Sequence, residues 1–257
     1  MIEKFEVTIT PFQRQRLVRI YVPNDYHQSN KVYPVLYMHD GQNLYFDEEA
    51  GYGMSWRIAD YLDQTGMDLI VVGIDCAPGE IRLDEYGPWP NHELWRNLNL
   101  EERVLGGQGI EYVDYLVNVL KPLIDEKYRT VPEDSSMAGS SMGGLISTYA
   151  ACKYPHIFRK VASFSSAYWF NQLEIENFIR ESDLSMIEKF YMDVGTKEES
   201  GSISHQMYID SSQAVYTIIK DKVKDCRFDI LEGAVHNELE WRKRVGPVFE
   251  YFFSIAT

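Results

Sequence analysis

Gly139-Ser140-Ser141-Met142-Gly143 places a serine between two glycines, each two residues away. Gly-x-Ser-x-Gly suits a nucleophile on a sharp strand-to-helix turn, where strained backbone pushes the hydroxyl into a cleft. The glycines let neighbouring chain approach with no Cβ in the way. A helix starting just beyond the serine aims its unpaired N–H groups at developing negative charge. The plain alternative is a glycine-rich turn with an ordinary serine. The context favours the nucleophile: an expected strand around Ser135 to Ala138 precedes it, and the helical run Leu145 to Ala151 follows.

A serine nucleophile needs a base, and the base needs an orienting acid. Six histidines compete, and only His236 follows a late expected strand, Phe228 to Leu231, and precedes the last expected helix. That puts it on a loop at a strand's carboxyl end, in the chain order serine, acid, histidine. His39 ends an early strand at the same sheet edge and reads as structural or as cleft wall. The acid should come from Phe190 to Glu199. Glu198, four residues past Val194, is the first choice. Glu199 and Asp193 are alternatives, as is a serine–histidine pair with no acid. An oxyanion hole would use the Met142 N–H and an N–H after an early strand, where Gly41 lets Gln42 face the cleft.

These residues need a scaffold. Phe5 to Thr10 and Arg16 to Val22 alternate and read as a hairpin about Pro11-Phe12-Gln13. Val32 to Met38 and Leu69 to Ile74 are continuous apolar runs, the mark of parallel strands covered on both faces. Tyr112 to Ile124 has helical spacing. Further strands are expected at Lys160 to Phe164, Phe190 to Val194 and Phe228 to Leu231, and a last helix at Glu238 to Phe253, kinked at Gly246-Pro247. The expectation is an α/β fold, a mostly parallel eight-stranded sheet with helices on both faces, in a single domain over 1–257. Ala77 to Gly109 breaks the rhythm, with Trp89, Trp95 and several prolines and glycines, and reads as a lid-like loop.

The chain has 257 residues and a formal charge of −14. That length buries a full core without staples. The acidity argues against nucleic acid and anionic membranes as partners. Cys76, Cys152 and Cys226 form neither a disulfide framework nor a zinc pattern. No metal motif and no cofactor are expected. No apolar leader follows Met1 and no run is long enough for a bilayer, so the protein reads as cytoplasmic.

Val35 to Leu44, Tyr128-Arg129-Thr130, Ala138 to Gly144 and Phe164 to Trp169 together resemble an esterase family. It groups esterase D, feruloyl and acetyl-xylan esterases, and siderophore esterases of the enterochelin type. The resemblance runs from about Val18 to Phe253. It implies an α/β-hydrolase fold and an ester or thioester substrate. Ser141 and His236 match the family's nucleophile and base, Met142 and Gln42 its oxyanion positions. Gly195-Thr196-Lys197-Glu198 departs from the simple Gly-x-x-Asp acid, and some relatives resemble a dyad.

The expected activity is hydrolysis of a small-molecule carboxylic ester through an acyl-enzyme. A thioesterase similar to S-formylglutathione hydrolase, or an acyltransferase, is the first alternative. A non-catalytic binding protein of the same fold is the second. Trp89, Trp95, Tyr168 and Trp169 are candidate substrate-binding residues at the cleft mouth, with packing beneath the long loop as the other reading.

Overall fold

The computed structural model describes residues 1–253. The alternating segments form an antiparallel hairpin of β1 (Ile2–Ile9) and β2 (Arg14–Tyr21). β3 (Tyr33–His39), β4 (Ile70–Ile74), β5 (Thr130–Ser140), β6 (Phe158–Phe164), β7 (Lys189–Gly195) and β8 (Cys226–Leu231) pair in parallel, and β2 joins them antiparallel to β4. The eight-stranded order is β1-β2-β4-β3-β5-β6-β7-β8. The chain has the α/β-hydrolase fold expected of it.

Strand alternation sorts side chains to two faces. Leu36, Met38, Val71 and Ala138 face α1 (Ile58–Thr65) and α8 (Glu238–Phe253). Val35, Tyr37, Val72 and Met137 face the opposite layer. That layer contains α2 (Ile81–Tyr86), α3 (Gly109–Tyr115), α4 (Lys121–Lys127), α5 (Met142–Lys153), α6 (Gln172–Glu181) and α7 (His205–Ile219). α5 is buried at every residue except Lys153, so it has no polar stripe. Its Ser147 and Thr148 hydroxyls donate back to the Gly143 and Gly144 carbonyls at 2.7 and 3.0 Å, which lets polar side chains sit in the core.

Two expectations change, for the long helical stripe and for the irregular loop. The stripe from Tyr112 to Ile124 is not one α-helix: a π turn, Leu116–Leu120, separates α3 from α4. Pro122 has no N–H to give the preceding turn, and the wider turn accommodates it. The added rotation leaves Val119 and Leu123 exposed. α8 continues through Pro247, and Gly246 there admits the Tyr61 ring, which a Cβ would meet at 2.7 Å. Finally, residues 77–109 are not irregular throughout. They contain α2 and an Asn91–Leu105 bridge, and fully buried Glu85 pins them to Arg14 and Arg16 at 2.8 Å.

Candidate functional site

Ser141 stands at the junction of β5 and α5 with φ +58° and ψ −123°. That conformation is rare for a residue with a Cβ and is held by its surroundings. The Ser141 N–H donates to the Phe164 carbonyl at 2.9 Å, and its carbonyl accepts from Ala167 at 3.0 Å. The flanking glycines are set by close approaches, prohibitive at Gly139 and tight at Gly143. A Cβ on Gly139 would lie 2.6 Å from the Gly143 backbone, and one on Gly143 would lie 3.2 Å from His39 Cβ.

His236 lies beyond β8, half-buried, and its Nδ1 is 3.0 Å from Glu198 Oε2. Glu198 is fully buried. Its Oε1 accepts from the Gly195 N–H and the Ser165 hydroxyl, both at 2.6 Å. Donation by Nδ1–H to the carboxylate leaves Nε2 as the free acceptor. Ser141 and His236 line one cavity of about 660 Å³. Behind the histidine, Tyr208 packs its ring 5.0 Å from the imidazole, and its hydroxyl bonds Ser200 at 2.9 Å and neighbours Ser141.

The other acid candidates point elsewhere. Glu199 is exposed. Asp193 accepts from the Ser165 N–H at 2.9 Å and from Tyr191 at 3.1 Å. Arg244 Nη1 lies 2.8 Å from Asp193 Oδ1, close but not aligned as a hydrogen bond. Burial pushes Asp193 up to about 6 against the pull of Arg244. His39 is buried, its Nδ1 3.1 Å from the Tyr112 hydroxyl, and burial lowers it to about 4. It supports Gly143 from below, the structural role that its place at the end of β3 suggested.

Gly41–Asn43 forms a single 3₁₀ turn after β3. Among the described residues, neither the Gln42 nor the Met142 N–H has an intramolecular acceptor. Gly41 has to be glycine, since a Cβ would sit 2.6 Å from the Gly73 backbone. Asp40 precedes the turn at φ +58° and is gripped by Arg82 through Nε at 2.6 Å and Nη2 at 2.8 Å. Burial raises the Asp40 carboxyl, but the Arg82 charge and hydrogen bonds outweigh it and hold the group below the usual range. The Gln42 side chain is clamped by Cys76, accepting from its N–H at 3.0 Å and donating to Sγ at 3.1 Å. Burial first, then Asp40, pushes the Cys76 thiol up to about 12, so it is no rival nucleophile at neutral pH.

The rest of the cavity wall mixes polar and apolar groups. Asp75, Arg82, Asn237 and Glu238 line it with Tyr52 and Met54. Glu238 is buried, accepts from Asn43 Nδ2 at 3.2 Å, and is pushed up by burial. These residues escaped the sequence reading, because their partners are far apart in the chain.

The four aromatics proposed for substrate contact do not line this cavity. Trp89 packs edge-on to Tyr149 and Phe178. The Trp95 indole donates to the His92 carbonyl at 3.1 Å. Tyr168 is fully buried, with its hydroxyl 2.7 Å from Thr148 and 2.9 Å from Ser163. Trp169 packs on Tyr208 and Phe170. Large apolar rings are stabilised by packing in and against the core.

A profile of the family described as "Putative esterase" matches residues 9–247. The chain belongs to that family. This esterase is a hydrolase of carboxylic esters. It is similar to Uncharacterized protein YbbA of Bacillus subtilis (strain 168), 30% identical over 251 residues, 93% of this chain and 92% of that one. Among solved structures it is similar to siderophore hydrolase EstA from Aspergillus nidulans, at TM-score 0.78 and 13% identity over 99% of this chain and 95% of that one. An IroE-like serine hydrolase from Shewanella oneidensis aligns at TM-score 0.77 and 18% identity, over 100% of the esterase and 81% of the other chain. At such identities the likeness establishes the fold. No helix among the described residues is long and apolar enough to cross a membrane.

Proposed function

We propose that the esterase cleaves a small-molecule carboxylic ester by a serine acyl-enzyme route, with Ser141 as nucleophile, His236 as base and Glu198 as orienting acid. His236 Nε2 takes the Ser141 proton as Oγ attacks the ester carbonyl. The Met142 and Gln42 N–H groups receive the oxyanion, each worth about 2.7–4 kcal/mol of transition-state stabilisation. His236 then protonates the leaving alcohol as the C–O bond breaks. Water, deprotonated by His236, attacks the acyl-enzyme and releases the acid with Ser141 restored.

One observation carries the reading: the buried Glu198 carboxylate holds His236 Nδ1 at 3.0 Å beside a cavity that also contains the strained Ser141 elbow. Buried carboxylates are costly unless bonded, and this one has donors on both oxygens. Ser141→Ala should lower kcat on an activated acetyl ester by about 10⁶-fold while the variant melts like wild type. Undiminished turnover by that variant would overturn the assignment.

A further inference from the structure

Ser165 takes no part in the chemistry just described, yet its hydroxyl joins three functional groups. It lies 2.6 Å from Glu198 Oε1, 2.9 Å from Trp241 Nε1 and 3.3 Å from Arg244 Nη2. The direction of each bond follows from chemistry alone. Indole and guanidinium groups only donate, and a serine hydroxyl has a single proton. Trp241 and Arg244 therefore occupy its lone pairs, and the proton goes to Glu198. The donor is polarised by a cation, and its length is that of a charge-assisted O–H···O⁻ bond.

With the Gly195 N–H as well, Oε1 of Glu198 is fully engaged, and Oε2 is left facing His236 Nδ1. Trp241 meets the same pair from the other side, its ring edge-on to the imidazole with centroids 5.0 Å apart. One indole thus touches the base with its ring and the anchor of the acid with its N–H. Ser165 is fully buried and adopts φ +46°, a conformation that favours glycine. A serine there bears backbone strain that glycine would relieve, so its hydroxyl has a use.

We propose that Ser165 is a positioning residue for the acid–base pair, its hydroxyl fixing the Glu198 carboxylate while Trp241 orients that hydroxyl and the His236 ring together. This rests on reading Glu198 and His236 as acid and base. Without the hydroxyl, the Glu198 charge is less stabilised and favours the positive imidazolium of His236 beside it. The acid limb of kcat/KM then moves to higher pH. The charged and titratable groups facing this pair are His236, Asp193, Arg244 and Tyr208, with Tyr191 behind Asp193.

The test uses Ser165→Gly, which suits the backbone and deletes the hydroxyl, and Trp241→Phe, which leaves the Ser165 backbone untouched and deletes the N–H. Expected for Ser165→Gly is a fall in kcat of about 10- to 100-fold, the scale of a hydrogen bond to a charged group, with KM little changed. Its acid limb shifts upward. Trp241→Phe shifts the limb in the same direction by less, and adds nothing to it in the Ser165→Gly background. If Ser165→Gly does not fold, the shift in Trp241→Phe decides. Asp193→Asn is the control: a limb that moves with Asp193→Asn and stays put with Ser165→Gly and Trp241→Phe overturns the proposal. So does a wild-type limb in both Ser165→Gly and Trp241→Phe. An active Ser141→Ala would instead remove the underlying triad, a distinct failure.

Discussion

The two walls of the cleft are built differently. On one, residues 193–244 supply the proposed acid and base, and the polar groups are bonded to one another: Glu198 to Ser165, Gly195 and His236, Asp193 to Ser165 and Tyr191. On the other, residues 39–82 supply the proposed oxyanion turn and most of the cavity lining. There the turn is braced by ion pairs that each join a buried group to a half-buried one, Asp40 with Arg82 and Arg19 with Asp75, and beyond them Tyr52 is 76% exposed. The first wall resembles a core, in which hydrogen bonds are strong and an unmade one is costly. The second grades from buried ion pairs to an exposed rim, and at the rim charges are screened and single contacts count for less. Proton transfer demands fixed geometry, whereas an ester's side groups demand only room and partners.

If that division holds, damage to the first wall falls on kcat. Glu198→Gln leaves the shape intact but removes the charge that holds the Nδ1–H tautomer. It should lower kcat by about 10⁴-fold with KM nearly unchanged. Asp193→Asn, which lacks a bond to His236, should cost far less. The opposite ranking would make Asp193 the acid and dissolve the contrast.

An intermediate effect concerns stability beneath the second wall. Burial lowers His39 to about 4 in the folded protein, against about 6.5 unfolded. The folded state therefore binds fewer protons than the unfolded one between those values. The His39 contribution to stability is fully present above pH 6.5 and is lost as pH falls toward 4. Denaturant unfolding of wild type against His39→Gln should show wild type losing about 3 kcal/mol relative to the variant across that window. A constant difference would mean that His39 is not held neutral.

The smallest effect belongs to the cavity rim. Tyr52→Ala should raise KM by about 2- to 5-fold and leave kcat alone, as expected of an exposed contact that binds ground and transition states alike. A large fall in kcat would place Tyr52 in the catalytic geometry and blur the two walls.

The first wall was largely legible in the sequence. Gly139, Ser141 and Gly143 fall within five residues, so their pattern is local and sharp even though the contact that limits Gly143 comes from His39. That His236 and Glu198 would meet at one sheet edge was legible from their places just beyond β8 and β7. Ser165 lay in a noticed motif, but its role depends on Trp241 and Arg244, 76 and 79 residues away. The second wall was mostly hidden for the same reason: Arg82 meets Asp40 across 42 residues and Asn43 meets Glu238 across 195. The aromatic content misled because a ring in the core and a ring in a cleft look alike in sequence. Here Tyr86, Tyr112, Tyr168 and Tyr208 are all fully buried. The sheet itself was readable, since its apolar runs and alternation are short-range, while the π turn at 116–120 left no mark in the periodicity.

The central claim is that Ser141 is the nucleophile. Titration with a fluorophosphonate, followed by peptide mass spectrometry and residual ester hydrolysis, tests it most directly. The account predicts a single label per chain, on the Ser141 peptide, with hydrolysis lost in proportion to labelling. Full hydrolysis by fully labelled protein, or equal labelling of Ser141→Ala, would contradict it.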